Sequence, residues 1–123
     1  MTSLMRYMPI LGIALFCAFM GAGQMLFKLA AMQVKDAATT GALIRGIAFS
    51  PWFWSAGLLY GVASLLWVAI LTRVPLSVAY PASSLTIVLV PIVGWMFFGE
   101  VLTVRFCIGM FAIMAGIWLV ATR

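Results

Sequence analysis

The strongest constraint on the fold is a set of four long apolar stretches separated by short polar breaks. They cover residues of about 9–32, 52–71, 76–98 and 103–121. Roughly 20 consecutive apolar residues let an α-helix cross the hydrocarbon core of a bilayer. We therefore predict an all-α integral membrane protein, with a single four-helix membrane domain over residues 1–123.

Composition excludes several other classes of protein. Apolar residues make up 67% of the chain, and the mean hydropathy is +1.25. A soluble domain of this size leaves too much of its surface in water to hide that many apolar residues. The seven basic residues are scattered singly, so we expect contacts with lipid phosphate and not with nucleic acid.

The chain also lacks the usual residues of an active site. It has no histidine and two acidic residues, so we expect no enzyme, no cofactor and no metal site. Cys17 and Cys107 lie inside apolar stretches and show neither metal-ligand spacing nor a disulfide framework.

The first apolar stretch carries a polar face. Gln24 and Lys28 stand four residues apart, so they share one side of a helix, and Cys17 and Gly21 extend that side. The length of the stretch and these two polar residues argue against a signal peptide. A lysine near a bilayer snorkels to the surface, finds a partner or lines a wet cavity. Both snorkelling and a functional cation remain open, and the deeper Gln24 favours the second.

The longest polar segment covers residues 33–50. Within it, the apolar spacing over about 42–49 predicts a short helix lying on the bilayer surface. Ser50 followed by Pro51 predicts the start of the next helix, because serine caps helices and proline fits their first position.

The second stretch has its own polar face, formed by Tyr60, Ser64 and Trp67 at positions i, i+4 and i+7. Such a face is usual where helices pack against each other. The alternative is a pocket, which the polar face of the first stretch makes more plausible.

The third stretch contains two prolines, Pro81 and Pro91, each of which frees a backbone carbonyl four residues earlier. Tyr80, Ser83 and Ser84 lie beside the first of them. Prolines in membrane helices can be simple bends, but this combination also suits a helix that lines a cavity.

Glu100 follows the third stretch and is the one acidic residue near the hydrocarbon. We expect it at the membrane surface, in an ion pair with Arg105 or with Lys28.

The fourth stretch places Gly109, Ala112 and Gly116 on one side. Small residues at this spacing let two helices approach closely, either across a dimer seam or within one subunit. Four helices make a thin bundle, so we expect a homodimer or a heterodimer with a related four-helix chain. Basic residues are nearly balanced between the two membrane sides, which leaves an antiparallel pair open. In such a pair, Lys28 of one subunit would approach the level of Tyr80 and Ser84 of the other.

Several motifs resemble the drug/metabolite transporter superfamily. They are Gly23-Gln24 followed by Lys28, the segment from Arg73 to Pro81 (RVPLSVAYP), and Gly99-Glu100. The chain is most similar to short, four-helix EamA-like proteins, which include the paired subunits of the aminoarabinose-phosphoundecaprenol flippase. The resemblance implies a multi-pass protein of the bacterial inner membrane that flips a polyprenyl-phosphate-linked sugar for lipopolysaccharide modification.

A second four-helix branch of that superfamily, the small multidrug resistance proteins, carries a glutamate in the first helix, two turns before the lysine. That glutamate binds protons and cationic drugs. This chain has Met20 at the corresponding position, which argues against proton-coupled export of small cations. Export of small cations and a non-transporting partner subunit remain the alternatives to a lipid flippase.

The remaining polar residues suit an anionic lipid head group attached to a sugar. Lys28 could bind a phosphate as a point charge. Trp67 could stack on a sugar ring. The predicted hydrogen-bonding residues of the site are Gln24, Tyr60, Ser64, Tyr80, Ser83 and Ser84.

Overall fold

The chain folds into helices throughout its apolar segments. A computed structural model describes the backbone of residues 2–122 and the side chains of residues 7–122. Four spans are long and apolar enough to cross a membrane, and they confirm the predicted all-α membrane fold. The described elements are α1 (Thr2–Gln33), α2 (Thr40–Ala48), α3 (Pro51–Leu71), α4 (Leu76–Ser83), α5 (Thr86–Phe98) and α6 (Val104–Ala121).

A seam of small side chains joins α1 to α3. Ala56, Ala63 and Ile70 of α3 are buried and recur every seven residues, which places them on one side of the helix. Gly12 of α1 faces this seam, because a Cβ added there would lie 3.2 Å from Cγ1 of Ile70. Small residues allow two helix backbones to approach closely in a membrane. The α1–α3 pair is therefore the scaffold that carries the polar residues of both helices.

Large apolar side chains point away from the bundle. Leu58, Leu65 and Phe111 are each largely exposed, as are many other large apolar residues of the spans. A soluble protein rarely shows such continuous apolar surface. In a bilayer these side chains face lipid, while the helices satisfy their own backbone groups.

The short helix α2 has a stabilising hydrogen bond at each end. The Thr39 hydroxyl accepts a hydrogen bond from the backbone amide of Ala42 at 3.2 Å and so caps its start. Near its end, Nε1 of Trp54 donates to the carbonyl of Ala48 at 2.8 Å. None of its residues is buried. Its position on the membrane surface remains a prediction.

The third span is interrupted where the sequence analysis describes one segment over 76–98. The α-helical hydrogen-bond pattern is interrupted at Ser84 and Leu85, shortly after Pro81, although both residues keep right-handed backbone angles. The Ser84 amide donates to the carbonyl of Pro81, three residues earlier, which is the bond of a tighter turn. The interruption therefore follows the first proline, and α4 and α5 are two short helices in one span.

Side chains satisfy the carbonyl of Ser83 at this interruption. It accepts a hydrogen bond from Oγ1 of Thr86 at 2.9 Å, and the thiol of the buried Cys17 in α1 donates to it at 3.6 Å. A backbone group freed inside a membrane needs such partners. The contact with Cys17 thereby fixes the α4–α5 junction against α1.

The last helix, α6, lies at the edge of the bundle. It begins after Thr103, whose hydroxyl accepts a hydrogen bond from the amide of Phe106 at 3.3 Å. It packs chiefly against α4, and none of its described residues is buried. Almost all of its surface is therefore available to lipid or to another chain.

Candidate functional site

An ion pair joins the end of α1 to the segment after α5. Nζ of Lys28 lies 2.9 Å from Oε1 of Glu100, and the two side chains are 46% and 48% exposed. The sequence left Arg105 and Lys28 open as partners of Glu100. Among the described side chains, the carboxylate pairs with Lys28, because the chain after α5 turns back towards α1.

The backbone after α5 places Glu100 in this position. Gly99 adopts a left-handed conformation with φ of 65°, which glycine tolerates well. The amides of Gly99 and Glu100 both donate to the carbonyl of Gly94. The Glu100 side chain then lies over Gly94, where an added Cβ would stand 2.6 Å from Oε2. The buried Gly94 thus leaves the space that the carboxylate occupies.

The ion pair lines a cleft between α1 and α5. The cleft has a volume of about 300 Å³, and its polar side chains are Gln24, Lys28 and Glu100. The ring centroid of Phe98 lies 6.0 Å from Nζ of Lys28, at the outer limit of a cation–π contact. The volume of the cleft is at the small end of the range for ligand pockets, so the cleft can hold a lipid head group but not a whole lipid.

A second cleft contains four more of the predicted site residues, whereas Tyr60 and Ser64 line neither cleft. It has a volume of about 360 Å³ and lies between α1, α3 and the α4–α5 junction. Trp67 forms one wall and packs on Phe16, with 4.6 Å between ring centroids. Its lining includes Met20, Tyr80, Ser83 and Ser84. The structure therefore separates the predicted site into a charged cleft and an aromatic cleft, both bordered by α1.

The predicted serines donate their hydrogen bonds within the helical segments that carry them. Ser64 Oγ donates to the carbonyl of Tyr60 at 2.8 Å. Ser83 Oγ donates to the carbonyl of Tyr80 at 2.7 Å, and Ser84 Oγ donates to that of Pro81. Each hydroxyl keeps acceptor capacity, but its proton is already used. In this conformation the serines can accept hydrogen bonds from a ligand and cannot donate to phosphate oxygens.

Tyr60 packs between α1 and α3. Its hydroxyl donates to the carbonyl of Met20 at 3.4 Å, and its ring stacks on Phe27 with 5.2 Å between centroids. A Cβ at Gly23 would lie 2.7 Å from Cζ of Tyr60. These contacts give the tyrosine a packing role. Tyr80 is different, because 70% of its surface is exposed.

The small-residue face of α6 is open. A Cβ added at Gly109 or Gly116 would meet no atom within 4 Å, and Ala112 is exposed. In the described chain this face does not form a close helix–helix contact of its own. A dimer seam at Gly109, Ala112 and Gly116 remains a prediction.

Gly94 and Phe98 complete the charged cleft but were not among the predicted site residues. Gly94 appears in the sequence as one glycine within an apolar helix, with no polar neighbour to indicate a role. A partial signal was Gly99-Glu100, since glycine after an apolar helix predicts a left-handed end that reverses the chain.

Four helices long and apolar enough to cross a membrane, with a charged cleft between α1 and α5, define a small multi-pass helical membrane protein. No protein-family model and no solved structure matches the chain. Curated proteins that are similar to it in sequence were found. A protein of Yersinia pestis, named as a probable 4-amino-4-deoxy-L-arabinose-phosphoundecaprenol flippase subunit ArnE, is 43% identical over 70 residues, which are 57% of this chain. A protein of the same name from Yersinia pseudotuberculosis is 41% identical over 70 residues.

A further relative covers most of the chain. The protein of that name from Aeromonas salmonicida is 36% identical over 111 residues, which are 89% of this chain and 93% of the relative. The chain therefore belongs to the family of the ArnE flippase subunits. The Yersinia matches span 61% of the relatives' length. The relatives are named as flippase subunits and not as enzymes, which agrees with the prediction from composition.

Proposed function

We propose that this chain is a subunit of a flippase that moves a polyprenyl-phosphate-linked sugar across the bacterial inner membrane. The observation that carries the proposal is Lys28, a half-exposed cation in a cleft of otherwise mainly apolar walls. A simple snorkelling lysine needs no cleft. A lysine that meets a phosphate needs one that is open to lipid and large enough for the head group.

The charged cleft is suited to a phosphate. Lys28 provides the charge, and Gln24, one turn deeper on α1, provides amide donors for phosphate or sugar oxygens. At about 300 Å³ the cleft takes only the head group, so the polyprenyl tail stays in the bilayer beside the exposed apolar faces. A thin bundle is sufficient for such a substrate, because the protein need not enclose the tail.

The aromatic cleft provides a second binding site for the head group, beside α1. Trp67 and the exposed Tyr80 offer ring faces and a hydroxyl to a sugar. Met20 lines this cleft, and none of its lining residues is acidic. A head group that leaves Lys28 can pass along α1 to these rings. A site for small cations would need a carboxylate there.

A partner chain completes the proposed transporter. The relatives are named as subunits, and α6 of this chain has no buried residue. We expect a related four-helix chain or a second copy to pack on α6 through Gly109, Ala112 and Gly116. If the pair is antiparallel, cysteines at positions 28 and 84 should crosslink between subunits. Failure to crosslink in a dimer shown to be parallel would contradict that arrangement.

Native mass spectrometry in mild detergent tests whether Lys28 binds the lipid. The wild-type protein is compared with Lys28→Gln and with Lys35→Gln, which removes the other lysine of the chain from a loop. After addition of 4-amino-4-deoxy-L-arabinose-phosphoundecaprenol, wild type and Lys35→Gln should retain the lipid. Lys28→Gln should retain at least about tenfold less, the loss expected for one charge-assisted contact. Equal retention by all three proteins would make Lys28 a snorkelling residue.

A further inference from the structure

The charges of the Lys28 cleft cancel each other. Lys28 and Glu100 are the charged residues that line it, and they are in direct contact at 2.9 Å. A ligand that approaches Lys28 must therefore compete with a carboxylate that is already bound there.

A purely anionic head group fits this cleft poorly. If its phosphate takes the place of Glu100 at Lys28, the released carboxylate remains in the cleft beside a second negative charge. Like charges at short range repel, most strongly next to apolar walls where water screens them little. A ligand that also carries an ammonium group removes the conflict, because each side chain then exchanges one ionic partner for another.

We infer that Glu100 is a specificity-determining residue, which receives the ammonium group of a head group whose phosphate binds Lys28. The inference rests on the proposed function, which assigns the phosphate to Lys28. It adds a requirement for both charges in the ligand and gives the second charge a receptor. The names of the relatives describe such a molecule, a phosphate-linked sugar with an amino substituent.

The backbone conformation and the contacts of Glu100 suit this role. The backbone of Glu100 is fixed by the left-handed conformation of Gly99 and by two hydrogen bonds from backbone amides to the Gly94 carbonyl. Its carboxylate lies over a residue with no side chain. Both members of the pair are about half exposed, so they can separate and bind new partners without opening a dry core. A mere helix-end contact would not require the close approach of Glu100 to Gly94.

Two lipid sources carry a phosphodiester and an ammonium group. One is the polyprenyl-phosphate-linked amino sugar, and the other is phosphatidylethanolamine. The test measures equilibrium binding to the full chain in nanodiscs made from phosphatidylglycerol. The four probes are the amino-sugar lipid, its N-acetylated form, phosphatidylethanolamine and N-acetyl phosphatidylethanolamine. N-acetylation removes the positive charge and keeps the phosphate.

The matched variants are Glu100→Gln and Asp36→Asn, since Asp36 is the other acidic residue of the chain and lies in the first loop. In wild type and Asp36→Asn, the amino-sugar lipid should bind about tenfold more tightly than its N-acetylated form, as expected for one charge-assisted contact. In Glu100→Gln the two forms should bind within a factor of about two of each other. Gly94→Ala displaces the carboxylate without removing it. This variant should also reduce the difference in affinity between the amino-sugar lipid and its N-acetylated form.

The remaining outcomes separate the two proposals. If wild type binds both polyprenyl lipids tightly and equally, and shows no difference within the phosphatidylethanolamine pair either, the role of Glu100 is overturned and the proposed function stands. A difference that persists in Glu100→Gln would overturn the role of Glu100 too. If only the phosphatidylethanolamine pair shows a difference that depends on Glu100, the role of Glu100 stands and the polyprenyl substrate is wrong. If neither pair shows one, the inference fails.

Discussion

The carboxylate of Glu100 lies over Gly94, so close that an added Cβ would stand 2.6 Å from Oε2. Real Cβ atoms essentially never approach another atom this closely. Glycine at position 94 is therefore what allows Glu100 to reach Lys28 across the end of α5. The ion pair and the cleft that it lines depend on a residue with no functional group.

Gly94→Ala should lower the free energy of unfolding by less than about 1 kcal/mol, because the new Cβ meets the end of a half-exposed side chain that can move away, and the ion pair lost with it is worth little. The measurement is thermal unfolding in detergent, followed by tryptophan fluorescence. Gly57→Ala is the control, because a Cβ there meets nothing within 4 Å, and alanine favours helix over glycine. Gly94→Ala should be less stable than Gly57→Ala by no more than about 1 kcal/mol, and a larger loss would show that the carboxylate cannot move away from position 94.

Gly23→Ala should weaken the contact between α1 and α3, because its Cβ would lie 2.7 Å from the ring of Tyr60. We expect a loss of about 1–3 kcal/mol in the same assay. The double variant Gly23→Ala, Tyr60→Leu should lose less than the sum of the two single variants, since the leucine makes room for the methyl group. Additive losses would mean that the two residues do not touch.

The Lys28–Glu100 pair should contribute little to stability. Both side chains are about half exposed, and exposed ion pairs are worth about 0.2–1 kcal/mol. A double-mutant cycle with Lys28→Gln and Glu100→Gln, measured by unfolding without added lipid, should give a coupling energy in that range. A much larger coupling energy would make the pair a structural element and weaken the case for a binding site.

The two cysteines should react very differently with maleimide. Cys17 is fully buried and bonded to Ser83, while Cys107 on α6 is exposed. In single-cysteine variants in mild detergent, Cys107 should label faster than Cys17 with a membrane-permeant maleimide, and Cys17 should label only after denaturation in SDS. Rapid labelling of Cys17 in the folded protein would contradict the packing of α1 against the α4–α5 junction.

A thiol on the small-residue face of α6 reports on the proposed partner, and Cys107 lies on the opposite side of that helix. If another chain packs on the small-residue face, the Ala112→Cys variant in a Cys107→Ser background should label more slowly in the assembled complex than in the isolated chain. Cys17 labelled in SDS serves as the reference for total protein. An unchanged rate in a complex of confirmed composition would place the interface on another helix.

A local signal in the sequence predicted where one helix begins. Ser50 and Pro51 predicted the start of α3, and the Ser50 hydroxyl accepts a hydrogen bond from the amide of Phe53 there. Long apolar stretches predicted the membrane spans, because crossing a bilayer imposes both length and composition. These features depend on neighbouring residues, so a single sequence is enough to find them.

Contacts between distant segments were harder to predict. Pro81 indicated a bend, but it did not indicate that Thr86 and Cys17, the latter from α1, donate to the carbonyl of Ser83 after it. The partner of Glu100 was left open between Arg105 and Lys28, because the choice depends on the direction of the chain after Gly99. The serines were predicted to face a ligand, and their protons are used within their own helical segments.

The most direct test of the central claim is lipid flipping in proteoliposomes that contain this chain together with any subunit that co-purifies with it. The readout is the rate at which the amine of 4-amino-4-deoxy-L-arabinose-phosphoundecaprenol becomes accessible to a membrane-impermeant amine reagent. Wild type and Lys35→Gln should accelerate exposure over protein-free vesicles, and Lys28→Gln should be at least about tenfold slower. Acceleration by Lys28→Gln equal to that of wild type, or none by wild type, would contradict a flippase subunit that binds its substrate through Lys28.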